Sequence, residues 1–293
     1  MDGIRLKIGS PNYEFWLGTN CQDELDGHLI SIGADIYFII ADEEIADLYG
    51  RGLCARLNLS APSFLIQHVK GEEAKRLATI DQIIESILSL GATRRSCVAA
   101  LGGGVTGNIA GLVAALLFRG IRLVHIPTTL VAILDSVVSF KQAVNASCGK
   151  NIIGTYYRPE MVLADIAYLR SLPVSHVRSG MCEVIKNALA ICPDQIPFLL
   201  EILNPDAFYS DSVYSELIRR NIELKSLIME NDQYEKYGGV VLEYGHTVGH
   251  VLELLSEGCL PHGEAIGLGM LTAAEIGLRL GGLSPYEAEI HHR

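Results

Sequence analysis

Residues 96–126 read SCVAALGGGVTGNIAGLVAALLFRGIRLVHI, and this run decides the fold. The apolar stretch 96–101 predicts a buried strand, and a glycine-rich turn follows it. Residues 109–118 carry the density of apolar side chains expected of a buried helix, and 121–126 return to strand texture. Strand, tight turn, helix and strand within so few residues is the repeating unit of a parallel sheet. The same rhythm extends upstream. IYFII at 36–40 predicts another buried strand, ending at Ala41 and Asp42. LATIDQIIESILSL at 77–90 has apolar residues at helical spacing and stops before Gly91. From about Leu172 the texture changes, with helical patterns at 177–191, 213–229, 245–255 and 263–280. The expected architecture is an α/β N-terminal Rossmann-like parallel-sheet domain over residues 1–172, followed by an all-α C-terminal domain over 173–293.

Bulk properties narrow the function classes. A hydrophobic content of 49% over 293 residues is enough for two cores. Lys and Arg number 23 against 34 Asp and Glu, a formal charge of −11. That balance argues against nucleic acid or an anionic membrane as partner, since both require a basic face. The seven cysteines are scattered and none forms C-x-x-C, which suits reduced thiols in a cytoplasmic protein. MDGIRLKIGS lacks the apolar run of a signal peptide, and 109–118 is about half the ~20 residues a membrane span needs.

Gly102, Gly104 and Gly107 satisfy G-x-G-x-x-G between a strand and a helix, the context in which backbone N–H groups approach a pyrophosphate. A packing turn would use the same residues, and the motif alone leaves the two readings level. No acidic residue follows about 20 positions later to hold a ribose. Asp42 is the candidate for that contact, with a helix N-cap before Ile45 as its alternative.

Residues 127–151 place Thr128, Thr129, Asp135, Lys141, Lys150 and Asn151 after a strand end, where ligands of parallel sheets sit. The two lysines suit a phosphate, or a solvated loop. In the second half, His246 and His250 are spaced i, i+4 and His262 follows in PHGEA. Thr247 stands where a zinc protease would carry its glutamate, so protease chemistry is excluded. Glu183 lies in an apolar helix with Lys186 one turn on. A carboxylate there needs either that lysine or a cation, and one Glu with two His suits a catalytic divalent metal.

Together these blocks resemble the dehydroquinate synthase-like sugar-phosphate cyclases. The matching segments are GEEAK (71–75), GGGVTGN (102–108), FRG (118–120), PTTL (127–130), DSVVSFKQAVN (135–145), GKNIIGTYY (149–157), GMCEVIKN (180–187), EYGHTVGH (243–250) and HGEAIGLGM (262–270). Details lean toward the branch that makes 2-deoxy-scyllo-inosose, the carbocycle of aminoglycoside antibiotics, from glucose 6-phosphate. Asn108 replaces an Asp usual in dehydroquinate synthases, SFKQAVN replaces GGKTAVN, and Glu243 replaces an Asn. Where dehydroquinate synthases carry an arginine for their substrate's carboxylate, this chain has Gly239. Glucose 6-phosphate has no carboxylate, so an arginine there would be an unpaired charge.

The resemblance implies roles by position. Glu183, His246 and His262 are expected to bind one divalent metal ion, Co2+ or Zn2+. Asp42 joins Glu72, Lys75, Gly103, Gly104, Val105, Asn108, Thr128, Thr129, Asp135 and Ser171 as expected NAD contacts. Lys141, Lys150, Asn151 and His250 resemble the phosphate-holding set, Glu243 suits a polyol, and Lys186 and Lys225 match lysines facing the sugar. Arg119 matches an arginine that reaches a neighbouring subunit, implying a homodimer. The implied reaction is transient oxidation by NAD, β-elimination of phosphate, reduction and aldol closure. Family members usually continue past a helix ending near Leu280, so C-terminal helices are expected to be lacking. Rival readings are 3-dehydroquinate synthase, a metal-dependent polyol dehydrogenase, and a non-catalytic NAD- or sugar-binding protein.

Overall fold

The computed structural model describes residues 4–8, 13–232, 234–256 and 259–292, in two compact units, Met1–Arg170 and Ser171–Arg293. The first unit is built on a seven-stranded sheet of order β1-β2-β9-β6-β5-β3-β4. Its strands are β1 (Ile4–Ile8), β2 (Tyr13–Gly18), β3 (Tyr37–Asp42), β4 (Ser63–His68), β5 (Cys97–Gly102), β6 (Arg122–Pro127) and β9 (Met161–Asp165). Six run parallel, and β1 is an antiparallel edge. Helices α1 (Gln22–Ser31), α2 (Glu43–Ile45), α3 (Arg51–Leu57), α4 (Leu77–Ser89) and α5 (Gly104–Leu116) supply the crossovers.

The strand β3 shows why its sequence is apolar throughout. Phe38 and Ile40 face a core shared with α4 and α5, while Tyr37, Ile39 and Ala41 face one shared with α1 and α3. A strand covered on both faces has no solvent side and loses polar alternation. The chain makes β4 on one side of β3, then crosses to place β5 on the other. Strand order therefore reverses between β3 and β5, and such a reversal opens a ligand crevice at the strands' carboxyl ends. Asp42 and Gly102 close those two strands.

Two local expectations change. Helix α5 begins at Gly104, not at residue 109. Glycine-rich residues 104–108 read as turn by propensity, but the Asn108 amide ties them together: its Nδ2 donates to the Gly104 carbonyl one turn back, and its Oδ1 accepts from Ala143 N–H across on the hairpin. Residues 127–151, which suit a ligand site or a solvated loop by sequence, hold regular structure. A π-type turn (Ala132–Ser136) leads into an antiparallel hairpin, β7 (Lys141–Ala146) and β8 (Gly149–Tyr156). The hairpin lies on α5 so closely that a Cβ on Gly111 would stand 2.0 Å from Gln142 Oε1.

The division between units falls after Arg170, where a 3-10 turn (Ile166–Ser171) buries Tyr168 and Leu169. Ser171, expected within the first domain, is the first residue of the second unit. That unit contains α6 (Val174–Ile191), α7 (Ile196–Ile202), α8 (Asp211–Asn231), α9 (His246–Leu255), α10 (His262–Arg279) and α11 (Pro285–Ile290). On α6, Val177, Met181, Val184 and Ala188 form the apolar stripe expected of a packed helix. Glu183, Lys186 and Asn187 are equally buried beside it.

Candidate active site

The glycine turn of the first unit is shaped by close approach. Gly102 has φ +157°, and a Cβ there would stand 2.7 Å from Thr106 Oγ1; on Gly103 it would stand 3.1 Å from Thr129 Cγ2. No side chain caps α5, so its first backbone N–H groups lack a side-chain acceptor, the arrangement that suits an anion. Thr128 N–H donates to the Gly102 carbonyl at 3.0 Å, tying the end of β6 to the turn. Thr129 Oγ1 accepts from Ala132 N–H, and half-buried Asp135 lies in the π-type turn that follows. Val105 packs half-buried against the core, and both ends of the Asn108 amide are engaged by backbone. Asp42 Oδ1 accepts from Ile45 N–H at 3.0 Å. It is thus a helix N-cap, the alternative set beside its ribose role, and it stands next to the turn in strand order.

Glu72 and Lys75 follow β4 and reach the hairpin. Glu72 Oε1 accepts from Asn145 Nδ2 at 2.7 Å, and buried Lys75 donates to Asn151 Oδ1. Asn145 Oδ1 in turn accepts from Asn151 N–H at 2.9 Å. Residues expected to contact nucleotide and phosphate thus share one network, with Asn145 as its hub. Lys141 opens β7 opposite Tyr156, whereas exposed Lys150 lies beside the hairpin turn. Arg119 is exposed beyond the far end of α5, about 20 Å of helix from Gly104. Phe118 and Arg119 both hold positive φ, 52° and 67°.

In the second unit, three helices converge through glycines. A Cβ on Gly263 would stand 2.2 Å from the Ser179 carbonyl of α6, and one on Gly269 of α10 would stand 1.9 Å from the Gly245 carbonyl. Backbone therefore meets backbone where each histidine-bearing helix begins. Glu183 from α6, His246 from α9 and His262 from α10 present ligand atoms that all lie within 4.8 Å of one another. His246 Nε2 is 3.7 Å and His262 Nε2 3.5 Å from the same oxygen, Glu183 Oε1. The other nitrogens are anchored: His246 Nδ1 is 3.1 Å from the Tyr244 carbonyl and His262 Nδ1 is 3.2 Å from Glu253 Oε2.

Electrostatics follow from this packing. Burial, then the Lys186 ammonium, holds His246 below its ordinary value, so it is neutral at pH 7. Burial also pushes His262 down, but hydrogen bonds to Glu183 and Glu253 override it and raise it to about 10. Lys186 Nζ donates to Glu183 Oε2 at 2.6 Å, with both side chains almost fully buried. Burial, with Glu183 and Glu264 nearby, pushes the Cys182 thiol up to about 11 and removes it as a thiolate donor. Two imidazoles aim Nε2 at one carboxylate oxygen while their Nδ1 atoms are held. This donor set fits a divalent cation of the zinc or cobalt kind.

Residues 65–179 match the 3-dehydroquinate synthase N-terminal family, and residues 180–293 match its C-terminal family. The chain belongs to the dehydroquinate synthase family. It is 51% identical to 2-deoxy-scyllo-inosose synthase of Streptoalloteichus tenebrarius, over 99% of this chain and 76% of that protein. Identity to the 2-deoxy-scyllo-inosose synthase of Streptomyces kanamyceticus is 52%, over 99% of this chain and 75% of that one. The crystal structure of a 2-deoxy-scyllo-inosose synthase complexed with carbaglucose-6-phosphate, NAD+ and Co2+ superposes with a TM-score of 0.94 at 36% identity. That match covers 99% of this chain and 79% of the other.

Family positions outside the metal cluster fall as follows. Lys225 of α8 is 1% exposed, and its helix is tied to α6 by a 2.7 Å bond between the Asn187 and Asn221 amides. Exposed His250 lies one turn beyond His246, ring centroids 5.1 Å apart. Glu243 is exposed at the end of a 3-10 turn (Gly238–Glu243). Gly239 has no room for a side chain, since a Cβ would stand 2.9 Å from Glu235 Cβ. Its N–H donates to Asp232, whose carboxylate is held below its ordinary value by the backbone N–H groups of Lys236, Gly239 and Tyr237. Motif reading passed over Asn145, Asn187, Asn221 and Glu253. For the first two, the signal was present inside the quoted blocks; Asn221 and Glu253 carry no local pattern.

Proposed function

We propose that this chain converts glucose 6-phosphate to 2-deoxy-scyllo-inosose and phosphate, in aminoglycoside antibiotic biosynthesis. The observation that carries the reading is the convergence of Glu183, His246 and His262, in a chain half identical to 2-deoxy-scyllo-inosose synthases over nearly its whole length. Glu183, His246 and His262 hold the divalent cation, Co2+ or Zn2+. Gly103, Gly104, Val105, Thr128 and Thr129 at the glycine turn, with Asp42, Glu72, Lys75, Asn108, Asp135 and Ser171, hold NAD. When bound, NAD supplies a reversible hydride acceptor and the cation a Lewis acid.

The chain's own side chains bind and orient the sugar. Lys141 counters the charge of the phosphate and stabilises the departing dianion, with Lys150 and Asn151 contributing to its binding. Glu243 accepts hydrogen bonds from substrate hydroxyls, and Lys186 and Lys225 face the ring. Gly239 suits a substrate without a carboxylate, since the turn there leaves no room for a side chain that would reach one. Arg119, projecting beyond α5, serves the site of a second subunit in a homodimer, and the enzyme acts in the cytoplasm.

Incubation with glucose 6-phosphate, NAD and Co2+ or Zn2+ tests the assignment. The expected result is stoichiometric phosphate release, an inosose by NMR, and no net change in NADH absorbance. Stoichiometric NADH would instead make the chain a polyol dehydrogenase. Turnover only of a carboxylate-bearing sugar phosphate would make it a dehydroquinate synthase.

A further inference from the structure

We infer that Glu253 is a positioning residue that fixes the tautomer, orientation and donor strength of the metal ligand His262. The inference rests on the reading of Glu183, His246 and His262 as a cation site. His262 uses both ring nitrogens: Nε2 lies 3.5 Å from Glu183 Oε1, and Nδ1 lies 3.2 Å from Glu253 Oε2. A neutral imidazole has a single N–H. If Nε2 is to offer its lone pair beside Glu183, that hydrogen must sit on Nδ1, and Glu253 is placed to accept it.

The two histidines differ in a way that matters. His246 Nδ1 faces the carbonyl of Tyr244, a neutral acceptor two residues away on its own backbone. His262 Nδ1 faces a carboxylate from a different helix. An anionic acceptor draws the proton toward itself and makes the opposite nitrogen a stronger donor, so His262 is the more basic ligand of the pair.

The placement of Glu253 is set by helix packing. It lies seven residues after His246, almost two turns along α9, so α9 carries one ligand and the holder of the other. Helices α9 and α10 touch backbone to backbone, since a Cβ on Gly249 would stand 3.0 Å from the Ala265 carbonyl and one on Gly269 1.9 Å from the Gly245 carbonyl. Little sliding is open to such a contact, and the half-buried Glu253 side chain has only a short distance to span.

A competing role for the same carboxylate is direct ligation, because His250, Glu253 and His262 also have ligand atoms within 4.8 Å of one another. That arrangement would need Nδ1 of His262 as a lone-pair donor and would remove the hydrogen that Glu253 accepts. One neutral ring cannot serve both sites, and exposed His250 makes this the weaker cage.

The test measures Co2+ binding to wild type, Glu253→Gln and Glu253→Leu by chelator competition and by the visible spectrum of the bound ion. Thermal unfolding of chelated protein is recorded in parallel. Glu253→Leu is expected to weaken affinity ~10–100-fold with a shifted cobalt spectrum, and Glu253→Gln, which keeps an acceptor without charge, to fall between it and wild type. Stoichiometry stays at one, and melting of the chelated protein changes little. Wild-type affinity and spectrum in both variants would overturn the inference, as would two ions in wild type and one in the variants. If Glu253→Leu does not fold, Glu253→Gln carries the same comparison. Glu183→Gln separates this failure from that of the metal reading itself: undiminished Co2+ binding in that variant removes the site, whereas its loss alongside normal Glu253 variants removes only the inference.

Discussion

Replacing Glu183 with Gln tests the metal centre before any metal is added. The variant is nearly isosteric, so packing on α6 is preserved and the change is one of charge. In the wild type, the Glu183 carboxylate and the Lys186 ammonium meet at 2.6 Å with side-chain exposures of 0% and 1%. Glu183→Gln leaves the ammonium enclosed opposite a neutral amide, and removing one partner of a buried ion pair costs about 3–5 kcal/mol. Solvent screening does not reduce that figure, since neither group reaches water. Denaturant unfolding in excess chelator should show the loss as a lower midpoint at unchanged slope. The double variant Glu183→Gln with Lys186→Met removes both charges and should recover most of the deficit. Neither protein should bind Co2+ as the wild type does. A Glu183→Gln variant within about 1 kcal/mol of wild type would refute the reasoning, as would a double variant no more stable than the single.

Acid sensitivity supplies a second test. His125 lies fully buried on β6, and among the described residues neither ring nitrogen meets a hydrogen-bond partner. Burial depresses it from 6.5 to about 4. Its contribution is therefore complete above pH 6.5 and lost as pH falls toward 4, amounting to about 2 kcal/mol by pH 5. His125→Phe should flatten the stability profile between pH 6.5 and 5 by that amount, and parallel urea-unfolding profiles would contradict this. For Lys141→Ala, phosphate release should fall sharply while NAD affinity, read by fluorescence titration, stays intact. Lost NAD affinity with normal phosphate handling would place Lys141 in the wrong site.

The layered first unit, the helical second unit and the donor types of the site are all legible in the order of residues. Strand β3 is apolar at every core position because both faces are covered, and that pattern is visible without coordinates. The family blocks likewise named Glu183, His246 and His262. Which of those groups meet follows from packing. Propensity placed the start of α5 at residue 109, because one of the two contacts of the Asn108 amide comes from the hairpin more than 30 residues downstream, through Ala143. The hairpin has no such local signature: residues 127–151 fit either a phosphate site or a solvated loop, and the pairing of its strands with their close approach to α5 exists only in three dimensions. Asp42 Oδ1 caps a helix, a contact that its spacing offered only beside the ribose role. Glu253 is the clearest case. It carries no motif, yet it faces a histidine from another helix, and only the glycine contact between α9 and α10 brings them together. Periodicity records which face of an element is buried. The partner across that face depends on how far apart two backbones come to rest, and packing decides that distance.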